Sequence, residues 1–386
     1  MNKFALAPVT LAALAASASA TAQSSSVTLY GQVSAAIERR DHQGAGAGGK
    51  AWSVGNDEFY ISNIGLRGNE DLGDGMKAIF RLESGLNTNN GTTTTSTKFW
   101  NRQAFVGLDT GETGTITIGR QYSAGVDRMV RTLDIFNVGG QGLTTVPIAL
   151  YGINRFSPNN ATYVSNDNRA DDSVKYRVVL PDLGLDLGSS VGFKDGAGRH
   201  FSADIGQTTK SYALGAFYIR YEAPTALSNG YVPKQTTVAF GGNVPVGPVK
   251  IYANYLVNKL DSAGAALGRP ATEDKVLSLA ARWTVAPNMD LSGALYNDKG
   301  TNLRDPLSNA VAGRNGNKNT YIADIEYYLS KRSLLNVAYF RTSMTDGYLF
   351  DAITATALSG ATHIGGIAGM GFSAYSGFQV GVRQAF

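Results

Sequence analysis

The chain has 386 residues and no cysteine, so a disulfide scaffold and thiolate metal sites are excluded. Histidine is scarce at 3 copies and proline numbers 11. Beyond the first turns of the chain there is no apolar run of about 18 residues, so no membrane-spanning helix is predicted. No charge sign dominates. Lys and Arg total 34 against 30 Asp and Glu, a formal +4, which does not indicate a nucleic-acid binder. What is abundant is glycine, at 46, and tyrosine, at 19.

The N-terminus reads as an export signal. Lys3 gives a positive start, Phe4 to Ala16 an apolar stretch, and Ala20-Thr21-Ala22 a cleavage site. Residues 1–22 are expected to be removed, leaving 23–386 as the mature domain.

From there the pattern is alternation. In Val27–Ile37, Val27, Leu29, Val33 and Ile37 share one face, and Thr28, Gln32 and Ser34 the other. About eleven extended residues cross a bilayer when tilted. Similar runs follow at Phe59–Asn69, Met76–Leu86, Trp100–Leu108, Thr115–Arg120, Ser173–Leu180, Leu185–Phe193, Arg199–Ile205 and Ser211–Glu222. Seven more are Thr236–Val244, Val249–Val257, Val276–Val285, Met289–Asn297, Tyr321–Leu329, Leu334–Thr342 and Phe378–Phe386. With the first this makes sixteen, and an even count suits a closed antiparallel membrane barrel whose last strand pairs with its first. Short turns such as Glu70–Gly75, Asp109–Gly114 and Pro181–Gly184 alternate with long polar connections such as Arg39–Glu58, Asn87–Phe99 and Ser343–Gly377. That segregation matches a barrel with its turns in the periplasm. Aromatic residues near strand ends, among them Tyr30, Phe59, Tyr60, Trp283 and Tyr327, read as interfacial girdles.

One connection stands out. Gln121 to Asp172 is 52 residues long and keeps no sustained period. Structureless loops of that length are uncommon and usually functional. It carries Asp127, Arg128, Arg131, Asp134 and Arg169. The expectation is a loop folded into the lumen, where it narrows a water-filled pore.

Alternation also sorts the wall. With Ile64 and Leu66 toward lipid, Asn63, Gly65 and Arg67 point inward. With Ala78, Phe80 and Leu82 outward, Lys77, Arg81 and Glu83 point inward. A charge on the lipid face at mid-depth costs about 2–4 kcal/mol, which favours the same choice. Lys175 differs in face from Val174 and Tyr176 and is expected inside. Arg102 depends on its neighbours: it lies inside if Phe105 faces lipid, and outside if Val106 and Leu108 do. The first is taken.

Several stretches resemble the general porins of Gram-negative bacteria, especially the β-proteobacterial type. They are Val27-Thr-Leu-Tyr-Gly, Ile64-Gly-Leu-Arg-Gly-Asn-Glu-Asp-Leu-Gly, Lys77-Ala-Ile-Phe-Arg-Leu-Glu-Ser-Gly-Leu, Asn101-Arg-Gln-Ala-Phe-Val-Gly-Leu and Thr117-Ile-Gly-Arg-Gln-Tyr. Asp172-Ser-Val-Lys-Tyr and Val380-Gly-Val-Arg-Gln-Ala-Phe386 fit as well, so the likeness covers the mature chain. It implies an all-β, sixteen-stranded antiparallel barrel in the outer membrane, assembled as a homotrimer among lipid and lipopolysaccharide, each barrel with a pore constricted by its third loop. It implies that Phe386 is read by the barrel-assembly machinery. It matches Arg102 and Arg169 to basic pore positions, and Asp127 and Asp134 to the acids of the loop. Asn63 stands where the family commonly has arginine. Arg120 resembles a packing or subunit-contact residue.

The expected function is passive diffusion of small hydrophilic solutes and ions, with no cofactor. Arg67, Arg81, Arg102, Arg169 and Lys175 against Asp127 and Asp134 favour anions. The alternatives are a substrate-specific channel, or an outer-membrane hydrolase or adhesin. His42, His200 and His363 form no Ser/His/acid or metal-spacing pattern, and Gly44–Gly49 lacks the ending of a phosphate loop.

Overall fold

The computed structural model describes residues 25–43, 49–57, 59–136, 169–193, 199–222, 232, 234–261, 270–303, 313–349 and 373–386. The export signal expected at 1–22 lies outside them, as do residues 137–168 of the long connection. The strands are β1 (Ser25–Gln43), β2 (Gly49–Gly55), β3 (Asn63–Gly73), β4 (Met76–Gly85), β5 (Gln103–Asp109), β6 (Thr115–Tyr122), β7 (Arg169–Leu180) and β8 (Leu185–Gly192). They continue with β9 (Arg199–Thr208), β10 (Ala213–Glu222), β11 (Lys234–Val246), β12 (Val249–Asp261), β13 (Thr272–Ala286), β14 (Met289–Leu303), β15 (Arg314–Tyr328), β16 (Ser333–Met344) and β17 (Ala374–Ala385).

Every neighbour pairs antiparallel in one sheet, and β17 closes on β1 through Gln32–Arg40. Phe386 completes the seam, its N–H donating to Gly31 O at 3.0 Å. Closure matters because an open edge in a bilayer leaves backbone groups with no partner. β2 and β3 pair with successive halves of β1 and act as one interrupted barrel strand, so the seventeen segments make a ring of sixteen. The short turns are tight. At Gly73-Asp74-Gly75 all three φ angles are positive, which two glycines accommodate readily.

All sixteen strands predicted from alternation are present. Several run further on the loop side than predicted. β14 extends to Leu303 and β15 begins at Arg314, and their ladder continues through Lys299↔Asn317 and Gly300↔Gly316. Past the apolar belt both faces are polar, so hydropathy loses the strand while the hydrogen bonds persist. β2 lies inside the stretch Arg39–Glu58 that alternation reads as a loop.

The outer face is apolar. Val27, Leu29, Val33 and Ile37 are all exposed, as predicted for the lipid side, Val27 at 66%. Among the described residues the inner face holds polar residues and several inward folds, two of which bear on the site. One is formed by residues 56–57 and 59–62, between β2 and β3. The other follows β6: a single helical turn, α1 (Ala124–Arg128), then a π-turn over Met129–Leu133.

Candidate functional site

The fold after β6 is held to the inner wall along its whole described length. Ser123 caps α1 by accepting from Val126 N, and Gly125 N donates to Ser202 Oγ at 2.8 Å. Gly125 is required by proximity: a β-carbon there would fall 2.7 Å from the Ile219 side chain. Arg128, almost wholly buried, donates from Nε to Asp204 Oδ1 at 2.9 Å and from Nη2 to Asp186 O at 2.9 Å. The orphan carbonyls that end such a turn need donors. Asn243 Nδ2 supplies one to Thr132 O at 2.8 Å, and Asn254 Nδ2 one to Leu133 O at 2.9 Å. Tyr296 OH then donates to Asp134 Oδ1 at 2.8 Å. The segment thus reaches from β8 and β9 across to β14 on the inner side.

Beside it lies a basic wall. Lys175 Nζ donates to Asp127 Oδ2 at 2.7 Å and to Tyr122 O at 3.1 Å. Arg177 reaches Asp186 at 2.6 Å, Asp204 at 2.8 Å and Asp127 at 3.7 Å. Tyr122 is a hub: its hydroxyl accepts from Arg169 Nη2 at 2.6 Å and from Arg102 Nη2 at 3.4 Å, and the Arg169 guanidinium stacks on its ring at 4.5 Å. Arg102 also pairs with Glu83, which accepts from Tyr30 OH at 2.7 Å. Arg67 and Arg81 stack over the Tyr30 ring at 5.2 and 5.8 Å. A cavity of about 400 Å³ opens among Arg81, Tyr122, Asp127, Arg131, Lys175 and Arg177.

Acids gather on the other side. Tyr60 OH donates to Glu326, and Tyr328 OH to Glu326 Oε2 at 2.6 Å and Asp290 Oδ2 at 3.2 Å. Asp57 Oδ1 accepts from Phe59 N at 2.8 Å and Gln379 Nε2 at 3.0 Å. Asp324 lies nearby, almost fully buried. β15 stands eight places from β7 in the ring of sixteen, so Asp324 and Glu326 face Lys175 and Arg177 across the lumen.

The structure brings Arg67, Arg81, Arg102, Asp127, Arg169 and Lys175 onto one wall. It does not bring Asp134 there, since that carboxylate is 3% exposed and held at β14. Asn63 donates to the backbone of Ile61 at 2.9 Å and makes no hydrogen bond with the cluster among the described residues. Arg102 is inside, but not by the premise taken from the sequence. Val106 is 60% exposed and Phe105 lines the inner cavities, the reverse of the assumption. β5 begins only at Gln103, so Arg102 precedes the ladder and its side chain turns inward to Glu83. Arg120 packs, its Nε donating to Asn101 O at 2.8 Å. Tyr30, Phe59 and Tyr60 are inner residues rather than girdle aromatics. Sequence reasoning missed Arg177, Asp186 and Asp204, and the acids Asp57, Asp324 and Glu326.

The family model for Gram-negative porins matches residues 9–347. The chain belongs to this family. An outer membrane porin protein of Bordetella pertussis is 32% identical over 216 residues, 53% of this chain and 49% of that protein, so the chain spans about half the length of that relative. Outer membrane porin protein 32 of Delftia acidovorans is 26% identical across 98% of this chain and 99% of its own. Among solved structures, an anion-selective porin from Comamonas acidovorans superposes with a TM-score of 0.72 at 20% identity, covering 94% of this chain and all of that one. OmpT of Vibrio cholerae gives 0.64 at 16% identity, with 94% and 98% covered. The superpositions agree with the closed sixteen-stranded barrel. As a member of the family, the protein resides in the outer membrane of a Gram-negative cell.

Proposed function

We propose that this porin forms a water-filled channel for passive diffusion of small hydrophilic solutes and ions, with a preference for anions. The observation that carries the reading is the polarity of the lumen. Arg67, Arg81, Arg102, Arg169, Lys175 and Arg177 stand on the wall from β3 to β7, with Asp324 and Glu326 opposite on β15. Charges set across a narrow aqueous path impose a transverse field, and the more accessible sign biases which ions pass. The acids at β15 are buried, whereas Arg67 and Arg131 are exposed to the lumen. Arg131 is paired with Asp186 at 3.2 Å, so it is chiefly the exposed Arg67 that supports the anion preference. Arg102, Arg169, Lys175 and Asp127 are the residues we assign to the constriction, with Arg67 and Arg81 beside it.

Assembly as a homotrimer is part of the same proposal, supported by the family and by a Vibrio cholerae OmpT structure described as a trimer form. Embedding among lipopolysaccharide, and recognition of Phe386 by the assembly machinery, complete it. A hydrolase reading has less support. His200 meets Ser190 Oγ at 3.1 Å, but that hydroxyl also accepts from Ala124 N at 3.1 Å and the imidazole is buried. The pair tethers α1 to the wall.

The test is single-channel current from purified protein in a planar bilayer under a salt gradient. Ohmic openings in steps of three, with a reversal potential on the anion side, are expected. Silence from folded, heat-modifiable protein would overturn the channel, and a cation-side reversal would overturn the preference.

A further inference from the structure

Arg67 and Arg81 are direct cross-strand partners on β3 and β4. Like charges directly opposite each other in a sheet destabilise it. The usual remedy is a carboxylate between them, but neither guanidinium makes an ion pair among the described residues. Glu83, the next acid on that face, is committed to Arg102 and to Tyr30 OH. What the two arginines share is the Tyr30 ring, fixed in place by its bond to Glu83.

The neighbouring register completes a site. Thr28 pairs with Arg67, and Arg81 with Phe105, so Thr28, Arg67, Arg81 and Phe105 form one inward row across four strands. That row lines a second cavity, of about 220 Å³, with Asn69 at its edge. The cavity is open to the lumen, and its volume suits a small polyatomic anion with its water. A guanidinium offers a planar fork of donors that matches two oxygens of one anion. Two such forks side by side, lacking a protein acceptor and open to solvent, lack what a small oxyanion supplies.

We propose that Arg67 and Arg81, with Tyr30 beneath them, form a binding subsite for a small oxyanion, phosphate or carboxylate, between the constriction and the periplasmic mouth. The inference rests on the channel reading, and deepens it by naming a stopping place for one class of solute. An anion there bridges the two forks and removes their repulsion. Chloride, a single-point acceptor, passes without bridging.

The test uses full-length protein in a planar bilayer, with inorganic phosphate added to a chloride background, and acetate in a second series. Saturable reduction of the chloride current by phosphate is expected. Arg67→Gln and Arg81→Gln should each weaken half-block by about tenfold or more, the loss of a charge-assisted contact. Arg67→Lys keeps the charge but not the fork and should weaken phosphate block while the reversal potential holds. Arg220→Gln, an exposed change at the far end of β10, should leave block unchanged. If wild-type channels conduct normally and phosphate never saturates, or if block survives both glutamine variants, the subsite is overturned while the channel stands. If no channel opens at all, it is the channel reading that fails.

Discussion

Phe59 and Phe136 meet edge to face inside the ring, with centroids 5.2 Å apart and planes at 62°. They belong to two of the inward folds, so this contact ties the strap between β2 and β3 to the segment that follows β6. Edge-to-face pairs contribute about 0.5–1.5 kcal/mol beyond the area they bury. A double-mutant cycle with Phe59→Leu and Phe136→Leu should return a coupling in that range by urea unfolding in detergent. Additive losses would mean that each ring merely fills its own space.

Glu83 joins two parts of the wall, pairing with Arg102 while accepting from Tyr30. Removing one partner of a buried ion pair costs about 3–5 kcal/mol, because the other charge remains. Glu83→Gln should fall at the low end, since Tyr122 still accepts from Arg102. The freed positive charge should move the reversal potential further toward anions. A shift toward cations would show that Glu83 does not neutralise Arg102 at the pore surface.

Asp127 is the loop acid that does face the basic wall, 2.7 Å from Lys175 and 3.7 Å from Arg177. Asp127→Asn should raise anion selectivity at low salt. The gain should fade as ionic strength rises, because the Debye length shrinks from about 30 Å at 0.01 M to about 3 Å at 1 M. Reversal potentials measured at several mean salt concentrations check this. An effect that does not vary with salt would point to a change of pore shape instead.

The barrel was legible because period-2 alternation and turn chemistry repeat sixteen times, and each repeat corrects the others. The inward folds lack that redundancy. Asn56–Ser62 contains Phe59 and Ile61 in strand-like alternation, so nothing local marks its departure from the wall. Partners distant in sequence, Gln379, Glu326 and Phe136 among them, draw it inside. Aromatic residues are ambiguous in the same way, since a Tyr suits a girdle or a lumen equally well. Arg177 was within reach: it shares its face with Lys175, two residues earlier. Asp324 and Glu326 alternate with the exposed Tyr321, Ile325 and Tyr327 and could also have been placed inward. Arg102 came out on the correct side because the strand starts one residue after it, a boundary that alternation cannot see.

Asp134 separates a charge that holds the loop from a charge that sets selectivity. The family resemblance makes it a constriction acid, yet its carboxylate lies buried at β14 and accepts from Tyr296 OH. A buried acceptor of this kind stabilises the loop, and losing one of its hydrogen bonds costs about 0.5–1.5 kcal/mol, more where the acceptor is charged. Tyr296→Phe removes one donor and keeps the charge, whereas Asp134→Asn removes the charge and keeps an acceptor. If Asp134 acts as an anchor, Tyr296→Phe should be the more damaging change, giving noisier openings and faster protease cleavage within the loop after β6. Asp134→Asn should then leave the reversal potential within error of wild type. If Asp134→Asn instead shifts the reversal potential as strongly as Asp127→Asn, the buried carboxylate acts on the ion path and the anchoring role alone is not enough.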